Sequence, residues 1–236
     1  MIRAIALLCL LPFPAVAGTF TPPEGCTLTM TVQSRQCRVS NHYTCAADGP
    51  GMRWRADFDQ EGIFFSSQID NETQWTESRD TDPPVVQKLV PGAKDPASFS
   101  GLLATGRDDF AFDLTRDDGN DSTVSGFDKL TGDTFVIDGI QLQGTAFEFT
   151  EVDQQGNVTR RSRGNEYISE EWRLFFAGPS EWDPGDGIYL PMDGSPLQFI
   201  FPGEPGFGAT QPLFECDDVL SWAVPEAVVI PAKAVR

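Results

Sequence analysis

The sequence predicts an all-β fold: an antiparallel meander that forms a sandwich or a barrel and begins with a disulfide-linked hairpin. The first observation is a period of two in the apolar residues, for example at 54–58 and 110–114. The second is a series of turn sequences between such runs, as at 117–120 and 155–157. The third is the near absence of a helical period, with residues 85–90 as the candidate for a short helix.

The N-terminus has the pattern of a secretory signal peptide. Arg3 supplies a positive start, residues 4–17 are apolar, and the small-residue triplet 15–17 ends the run. This run is shorter than the roughly 20 residues that a spanning helix needs, and no other run is longer. We therefore expect cleavage after residues 1–17, a periplasmic or secreted protein, and no integral membrane segment.

The remaining residues, 18–236, are predicted to form one all-β domain with an extended C-terminal tail. Single all-β domains often contain about 200–250 residues. A disulfide from Cys216 to a cysteine near the N-terminus would tie the end of the chain to its beginning. Pro225 and Pro231 favour an extended tail after Cys216.

Four of the five cysteines remain after signal-peptide removal, and an even number in an exported chain predicts two disulfides. No Cys-x-x-Cys pair is present, which disfavours a zinc site. Strand parity selects among the three connectivities, because a hairpin with Leu28 opposite Tyr43 and Val32 opposite Val39 aligns the apolar faces. The favoured disulfides are Cys26–Cys45 and Cys37–Cys216.

Several later segments depart from simple alternation. Phe175 and Ile200 place apolar residues on the second face of their strands, which is typical of strands covered on both sides. Residues 131–133 have the composition of a turn, and residues 138–139 that of a hairpin turn or a bulge.

Composition excludes two classes of protein. The chain has 17 Lys and Arg against 35 Asp and Glu, a formal charge of −18, so it lacks the cations of a duplex nucleic-acid binder. With 11% aromatic residues it is too rich in core-forming side chains for a disordered acidic tail. The charge favours solubility and disfavours anionic macromolecular partners.

Catalytic signatures are weak. His42 is the only histidine, parity places it on the solvent face, and no Gly-x-Ser-x-Gly motif accompanies it. Paired acids of a glycosidase remain an alternative, with residues 170–172 as the first segment to test because an acid beside an aromatic can have a raised pKa. The candidate acids are Asp109, Asp113, Glu148, Glu166, Glu170 and Glu171.

Two further groups of residues are candidate sites. The acidic turns 117–121 and 183–187 offer oxygen ligands for calcium, although neither matches an EF-hand, and no cofactor is otherwise expected. A basic cluster and an aromatic residue in a Pro/Gly-rich loop are candidate partner contacts, while pairing of the arginines with Glu148 and Glu151 is the simpler alternative. These candidate contacts are Arg160, Arg161, Arg163 and Trp182.

The sequence favours an exported, non-enzymatic β-sheet module that binds an apolar or lipid-like ligand or an envelope protein. The aromatic content and the missing catalytic motifs carry this expectation. A carboxylate-based hydrolase and a structural envelope protein without a pocket are the alternatives.

Overall fold

The computed structural model describes residues 18–216, so the predicted signal peptide at 1–17 and the predicted tail after Cys216 lie outside the described residues. The described chain is built almost entirely from antiparallel strands, with one short helix. The elements are β1 Cys26–Ser34, β2 Arg38–Cys45, β3 Arg53–Phe58, β4 Ile63–Ile69, β5 Trp75–Thr81, β6 Pro84–Leu89, α1 Phe99–Thr105, β7 Arg107–Arg116, β8 Ser122–Ile137, β9 Ile140–Asp153, β10 Val158–Ser169, β11 Leu174–Asp183, β12 Leu190–Asp193 and β13 Pro196–Ile200.

All the described strands belong to one antiparallel sheet, which confirms the predicted all-β meander. Each strand pairs with the next one along the chain from β1 to β12, and β13 returns to pair with β1. The sheet is not closed, because β12 and β13 form its two edges. It is nevertheless strongly curled: the ring centroids of His42 on β2 and Phe176 on β11 lie 6.1 Å apart, although many strands separate them in the sheet.

The predicted disulfide-linked hairpin is formed by β1 and β2, with Cys26 opposite Cys45 and bonded to it. Its register is the predicted one only as far as Leu28, which lies opposite Tyr43. A bulge between Leu28 and Met30 then shifts the pairing by one residue. Beyond the bulge, Met30 lies opposite His42, Val32 opposite Ser40 and Gln33 opposite Val39. The predicted Val32–Val39 pair is therefore wrong.

Because of this bulge, β1 supplies apolar side chains to both faces of the hairpin. Leu28 packs with Val39 and Tyr43 on the outer face. Met30 and Val32 join the inner core. Both faces of β2 are therefore covered, and a residue on its more polar face is not a surface residue.

The outer face of the hairpin is covered by the segment that follows β13. The amide N–H of Gly208 donates to Thr31 Oγ1 over 2.8 Å, and the side-chain amide of Asn41 donates to the Ala209 carbonyl over 2.9 Å. Gln33 receives a hydrogen bond of 3.0 Å from the amide of Leu213. A second disulfide joins Cys37 to Cys216, the connectivity that strand parity favours, and ties this segment to the hairpin.

The only helix among the described residues is not where the sequence placed its short candidate. Residues 85–90 lie mostly in strand β6, and α1 comes a few residues later. The side chain of Ser98 accepts a hydrogen bond from the amide of Gly101 at the start of α1, and Gly106 ends it in the left-handed conformation. With so few residues, α1 shows too little periodicity to be recognised in the sequence.

The helix lies across one end of the curled sheet. Its Phe99 amide donates to the Glu72 carbonyl in the β4–β5 turn over 3.2 Å, and Arg173 in the β10–β11 turn donates to the Ser100 hydroxyl over 2.9 Å. Phe99 and Leu102 are buried. Their partners in this core cluster include Leu130, Ile168 and Phe175 from β8, β10 and β11.

Two predicted turns have different outcomes. Residues 138–139 form the tight turn between β8 and β9, as the sequence indicated. Residues 131–133, predicted as a turn, lie inside β8, where the pairing with β9 shifts between Leu130 and Thr134. The local turn composition there produces a bulge, because the long β9 partner continues past it.

Candidate functional site

The curled sheet surrounds an interior cavity of about 600 Å³. Side chains from β2 to β11 line it, so residues far apart in the sequence meet there. Its volume is within the range of about 300–1,000 Å³ that is typical of small-molecule sites. Arg116, Glu151 and Thr159 also line a second cavity of about 370 Å³ beside the turns that follow β7 and β9.

One part of the lining, here called the basic wall, consists of Arg38 and His42 on β2 and Arg55 on β3. His42 lies directly opposite Arg55 in the β2–β3 ladder. The Arg38 guanidinium donates through Nη2 to the Gly194 carbonyl over 3.1 Å. Gly194 permits this approach, because a Cβ there would lie 2.7 Å from that Nη2.

The basic wall contains hydrogen-bonding groups without a partner. The buried Nε of Arg38 and the buried Nε of Arg55 make no hydrogen bond within the described chain. Arg55 Nε lies 3.0 Å from Asp57 Oδ1, but the two atoms are not aligned as donor and acceptor, so this contact is an ion pair only. Buried donors of this kind carry a desolvation cost that a bound acceptor would remove.

His42 is not the surface residue that the sequence indicated, since its exposed fraction is only 6%. It does lie on the face of β2 opposite Val39 and Tyr43, as strand parity predicts, but the curl of the sheet buries that face. Burial, the nearby Arg55 and, more weakly, Arg38 lower the pKa of His42 to about 3, against an opposing effect of Asp57. The imidazole is therefore neutral at physiological pH.

A second part of the lining holds two carboxyl groups, Asp128 on β8 and Glu166 on β10, here called the acid pair. Burial raises the pKa of Glu166, and the neighbouring Asp128 charge raises it further, while Arg55 opposes the shift. Burial and the nearby Asp108 raise the pKa of Asp128. Because burial disfavours the charged form of both groups and the Asp128 charge further disfavours ionisation of Glu166, the acid pair retains a proton at pH values where isolated carboxyls are ionised.

Aromatic rings form a third part of the lining. The Trp75 ring lies 5.5 Å from the Phe112 ring and 5.6 Å from the Phe149 ring, both in edge-to-face contact. We call the set of cavity-lining aromatics from β5, β7 and β9 the aromatic wall; its members are Trp75, Phe110, Phe112, Phe147 and Phe149. A flat apolar molecule can be enclosed by such rings.

The predicted basic cluster is divided between two environments. Arg160 lines the cavity, forms a 2.9 Å ion pair with Glu151 as the simpler alternative expected, and lies over the Phe149 ring. Arg161 forms a 3.0 Å ion pair with Asp183 on β11. Both of these arginines therefore already have a carboxylate partner.

The other two candidate contacts lie on β10 and β11. Arg163 forms a 2.9 Å ion pair with Glu181. Trp182 does not lie in a loop: it is a half-buried residue of β11, opposite Ser162 and Leu190. The alternation around Phe175 predicted the first part of this strand, but its continuation through Trp182 was missed because Gly178 and Pro179 resemble a loop.

Of the six acids considered for a glycosidase, only Glu166 lines the cavity. The others are exposed; they are Asp109, Asp113, Glu148, Glu170 and Glu171. Asp128 was missed, although it shares the parity of Val124 and Leu130 along β8, and that pattern was a signal for an inward-facing acid.

The acidic turns proposed for calcium use their carboxylates within the fold. Asp118 in the first turn pairs with Arg116 over 2.7 Å. Asp183 in the second accepts hydrogen bonds from the amides of Gly185 and Gly187. Within residues 18–216, no group of three or more His, Cys, Asp or Glu side chains has the arrangement of a metal site.

The fold and the site define an antiparallel β protein with a ligand-sized interior cavity of mixed aromatic and charged lining. Comparison with protein-family models, with characterised proteins and with solved structures finds no match. No helix in the described part of the chain is long and apolar enough to cross a membrane.

Proposed function

We propose that this protein is an exported, non-enzymatic binding protein that holds an apolar or lipid-like small molecule in its interior cavity. The observation that carries the proposal is a cavity of about 600 Å³ with five aromatic rings on one side. Small-molecule sites combine such apolar lining with a few polar groups that fix the orientation of the ligand. The cavity also favours this function over a structural protein without a pocket.

Export is supported by two independent features. Residues 1–17 have the charge, apolar run and small-residue end of a signal peptide. The two disulfides are compatible with an oxidising compartment such as the periplasm or the extracellular space, where such bonds persist.

A carboxylate-based hydrolase is the second candidate, because of the acid pair. Glycosidases use two carboxyl groups, one of which has a raised pKa and acts as a general acid. Glu166 and Asp128 both have raised pKa values. Arg55, which acts on Glu166, and the surrounding aromatic rings are equally compatible with ligand binding. Turnover of a glycan panel by wild type but not by Glu166→Gln is therefore required to favour this candidate.

Cavity binding is tested with an uncharged fluorescent probe, phenylnaphthylamine, and a variant that fills the cavity. Ser67 lines the cavity on β4, and Ser67→Phe occupies part of that space. Ser125 is exposed on β8, so Ser125→Phe is the matched control. We expect wild type and Ser125→Phe to bind one equivalent of probe, and Ser67→Phe to bind at least about tenfold more weakly.

Native mass spectrometry of wild-type protein recovered from the periplasm or the culture medium complements this titration by detecting a co-purifying molecule. Absence of an added mass together with no saturable probe binding would overturn the proposal. Equal probe binding by wild type and Ser67→Phe would also overturn it, because the probe would then occupy a different surface.

A further inference from the structure

We propose that the cavity binds an organic monoanion, whose charged group lies on the basic wall and whose flat apolar body lies against the aromatic wall. This inference rests on the proposed binding function and specifies the chemical class of its ligand. It requires three properties of the cavity: unsatisfied cationic donors, a local excess of positive charge, and an apolar surface within reach of both.

The donors are the guanidinium groups of Arg38 and Arg55. Each has a buried Nε without a hydrogen-bond acceptor in the described chain. Buried polar groups are normally satisfied, and groups that are not are candidates for contact with a ligand. A carboxylate or sulfonate supplies several acceptor oxygens at once, which matches the planar donor set of arginine.

The charges of the basic wall do not cancel. Asp57 is the buried carboxylate that contacts Arg55, and it is also the acidic group that acts on the pKa of Arg38. Outside the acid pair, the two guanidiniums thus share one carboxylate, and the neutral His42 adds no charge. A single anionic group would neutralise the remaining positive charge of the basic wall. Charge pairing is strong there because the dielectric constant is low.

This local excess contrasts with the chain as a whole, whose formal charge is −18. Non-specific electrostatics would repel an anion from such a protein. Preference for an anionic ligand over its neutral analogue would therefore identify the basic wall rather than the general surface.

The aromatic wall accounts for the apolar body of the ligand. Trp75 is in edge-to-face contact with both Phe112 and Phe149, and the three rings line the same cavity as Arg55. The Arg55 guanidinium also lies 5.8 Å from the centre of the Phe65 ring, so a further aromatic residue of the cavity lies directly beside the basic wall.

The acid pair is the competing feature, because it would attract a cationic ligand. Glu166 already interacts with Arg55, and the raised pKa values of both Glu166 and Asp128 favour their protonated, uncharged forms. We therefore assign the charged group of the ligand to the basic wall, and a protonated carboxyl of the acid pair is left to donate a hydrogen bond to the ligand.

The test compares two probes that share one ring system: anilinonaphthalene sulfonate, which carries a negative charge, and phenylnaphthylamine, which does not. Both are titrated by fluorescence into wild type, Arg38→Met and Arg163→Met. Arg163 is an exposed arginine of β10 and serves as the control. We expect wild type and Arg163→Met to bind the sulfonate at least about tenfold more tightly than the neutral probe. Arg38→Met should lose that preference, while its affinity for the neutral probe should stay within about twofold of the wild-type value.

A second measurement uses wild type only, so it does not depend on whether Arg38→Met folds. Because His42 is the only histidine, its ring signals can be followed by NMR. Binding of the sulfonate beside it will raise its pKa, and binding of the neutral probe will not.

The outcomes separate the two proposals. The anion assignment is overturned if wild type binds both probes with equal affinity. It is also overturned if wild type binds a naphthylmethylammonium cation more tightly than the sulfonate. Neither result contradicts binding in the cavity. If neither probe binds, or if Ser67→Phe does not weaken either of them, the binding function itself fails. An unchanged His42 pKa in the sulfonate complex would also contradict the anion assignment.

Discussion

Arg55 Nε lies 3.0 Å from Asp57 Oδ1, in a pair two residues apart on one strand, and the Asp57 side chain is only 2% exposed. The same spacing recurs on β7, where Arg107 pairs with Asp109 but the carboxylate side chain is 59% exposed. The two pairs therefore share their sequence geometry and differ in burial.

Asp57→Asn should destabilise the protein, because it leaves the guanidiniums of Arg55 and Arg38 without their buried countercharge. We expect a loss of about 1–3 kcal/mol in the free energy of unfolding, measured by denaturant titration. Asp109→Asn, the matched exposed variant, should cost less than about 1 kcal/mol. Equal losses at both positions would contradict the view that Asp57 compensates the basic wall.

Glu166→Gln should stabilise the protein at alkaline pH. Because the pKa of Glu166 is raised above its value of 4.5 in the unfolded chain, the folded state binds more protons above that pH, and stability falls as pH rises through the folded pKa. Glutamine removes this loss. At about pH 8.5 the melting temperature should rise by roughly 2–4 °C per kcal/mol recovered, and at about pH 5 the difference should shrink.

The control for this comparison is Glu148→Gln, on the exposed face of the neighbouring strand β9. It should show no comparable dependence on pH. A stabilisation by Glu166→Gln that is the same at both pH values would argue against a charge effect in the cavity.

His42 should have the opposite pH dependence. Its pKa falls from 6.5 to about 3 in the folded protein, so the unfolded chain binds more protons between these values and stability is lost as pH falls through that interval. His42→Gln should therefore lose less stability than wild type between about pH 7 and pH 4. An NMR titration of the ligand-free protein that gives a pKa near 6.5 would contradict the buried site.

The two disulfides should contribute unequally. Cys37 and Cys216 are 179 residues apart, and Cys26 and Cys45 are 19 apart. In the chain-entropy view, the longer loop restricts the unfolded chain more, so removing Cys37–Cys216 as a Ser/Ser variant should cost about 2 kcal/mol more than removing Cys26–Cys45. Equal losses in denaturant titrations would indicate that packing, rather than loop closure, dominates.

Local patterns predicted the meander and the first hairpin, because strand alternation and turn composition depend on residues close in sequence. The basic wall could not be predicted in the same way. His42 and Arg55 alternate with apolar neighbours as surface residues do, and only the curl of the whole sheet makes their face an interior one. Since that curl brings β1 and β2 into contact with side chains of β9 and β11, which are distant in the sequence, the information is non-local.

The two members of the acid pair differ in how far local sequence patterns predict an inward-facing side chain. Glu166 was one of six candidate acids, and nothing in its neighbours distinguished it from exposed Glu148. The pairing shift between Gly164 and Glu166 lies beside it, and such shifts are difficult to recognise in one sequence. Asp128, in contrast, shared its parity with apolar residues and was within reach of sequence analysis.

The pairing of Cys37 with Cys216 imposes an order on the biosynthesis of this protein. Cys26, Cys37 and Cys45 are all synthesised early, but Cys37 meets its native partner only after a further 179 residues. During that interval three thiols compete, and any early bond of Cys37 with Cys26 or Cys45 has to be reversed by thiol–disulfide exchange. Cys216, the last cysteine in the sequence, is therefore the one that completes the oxidation of the chain.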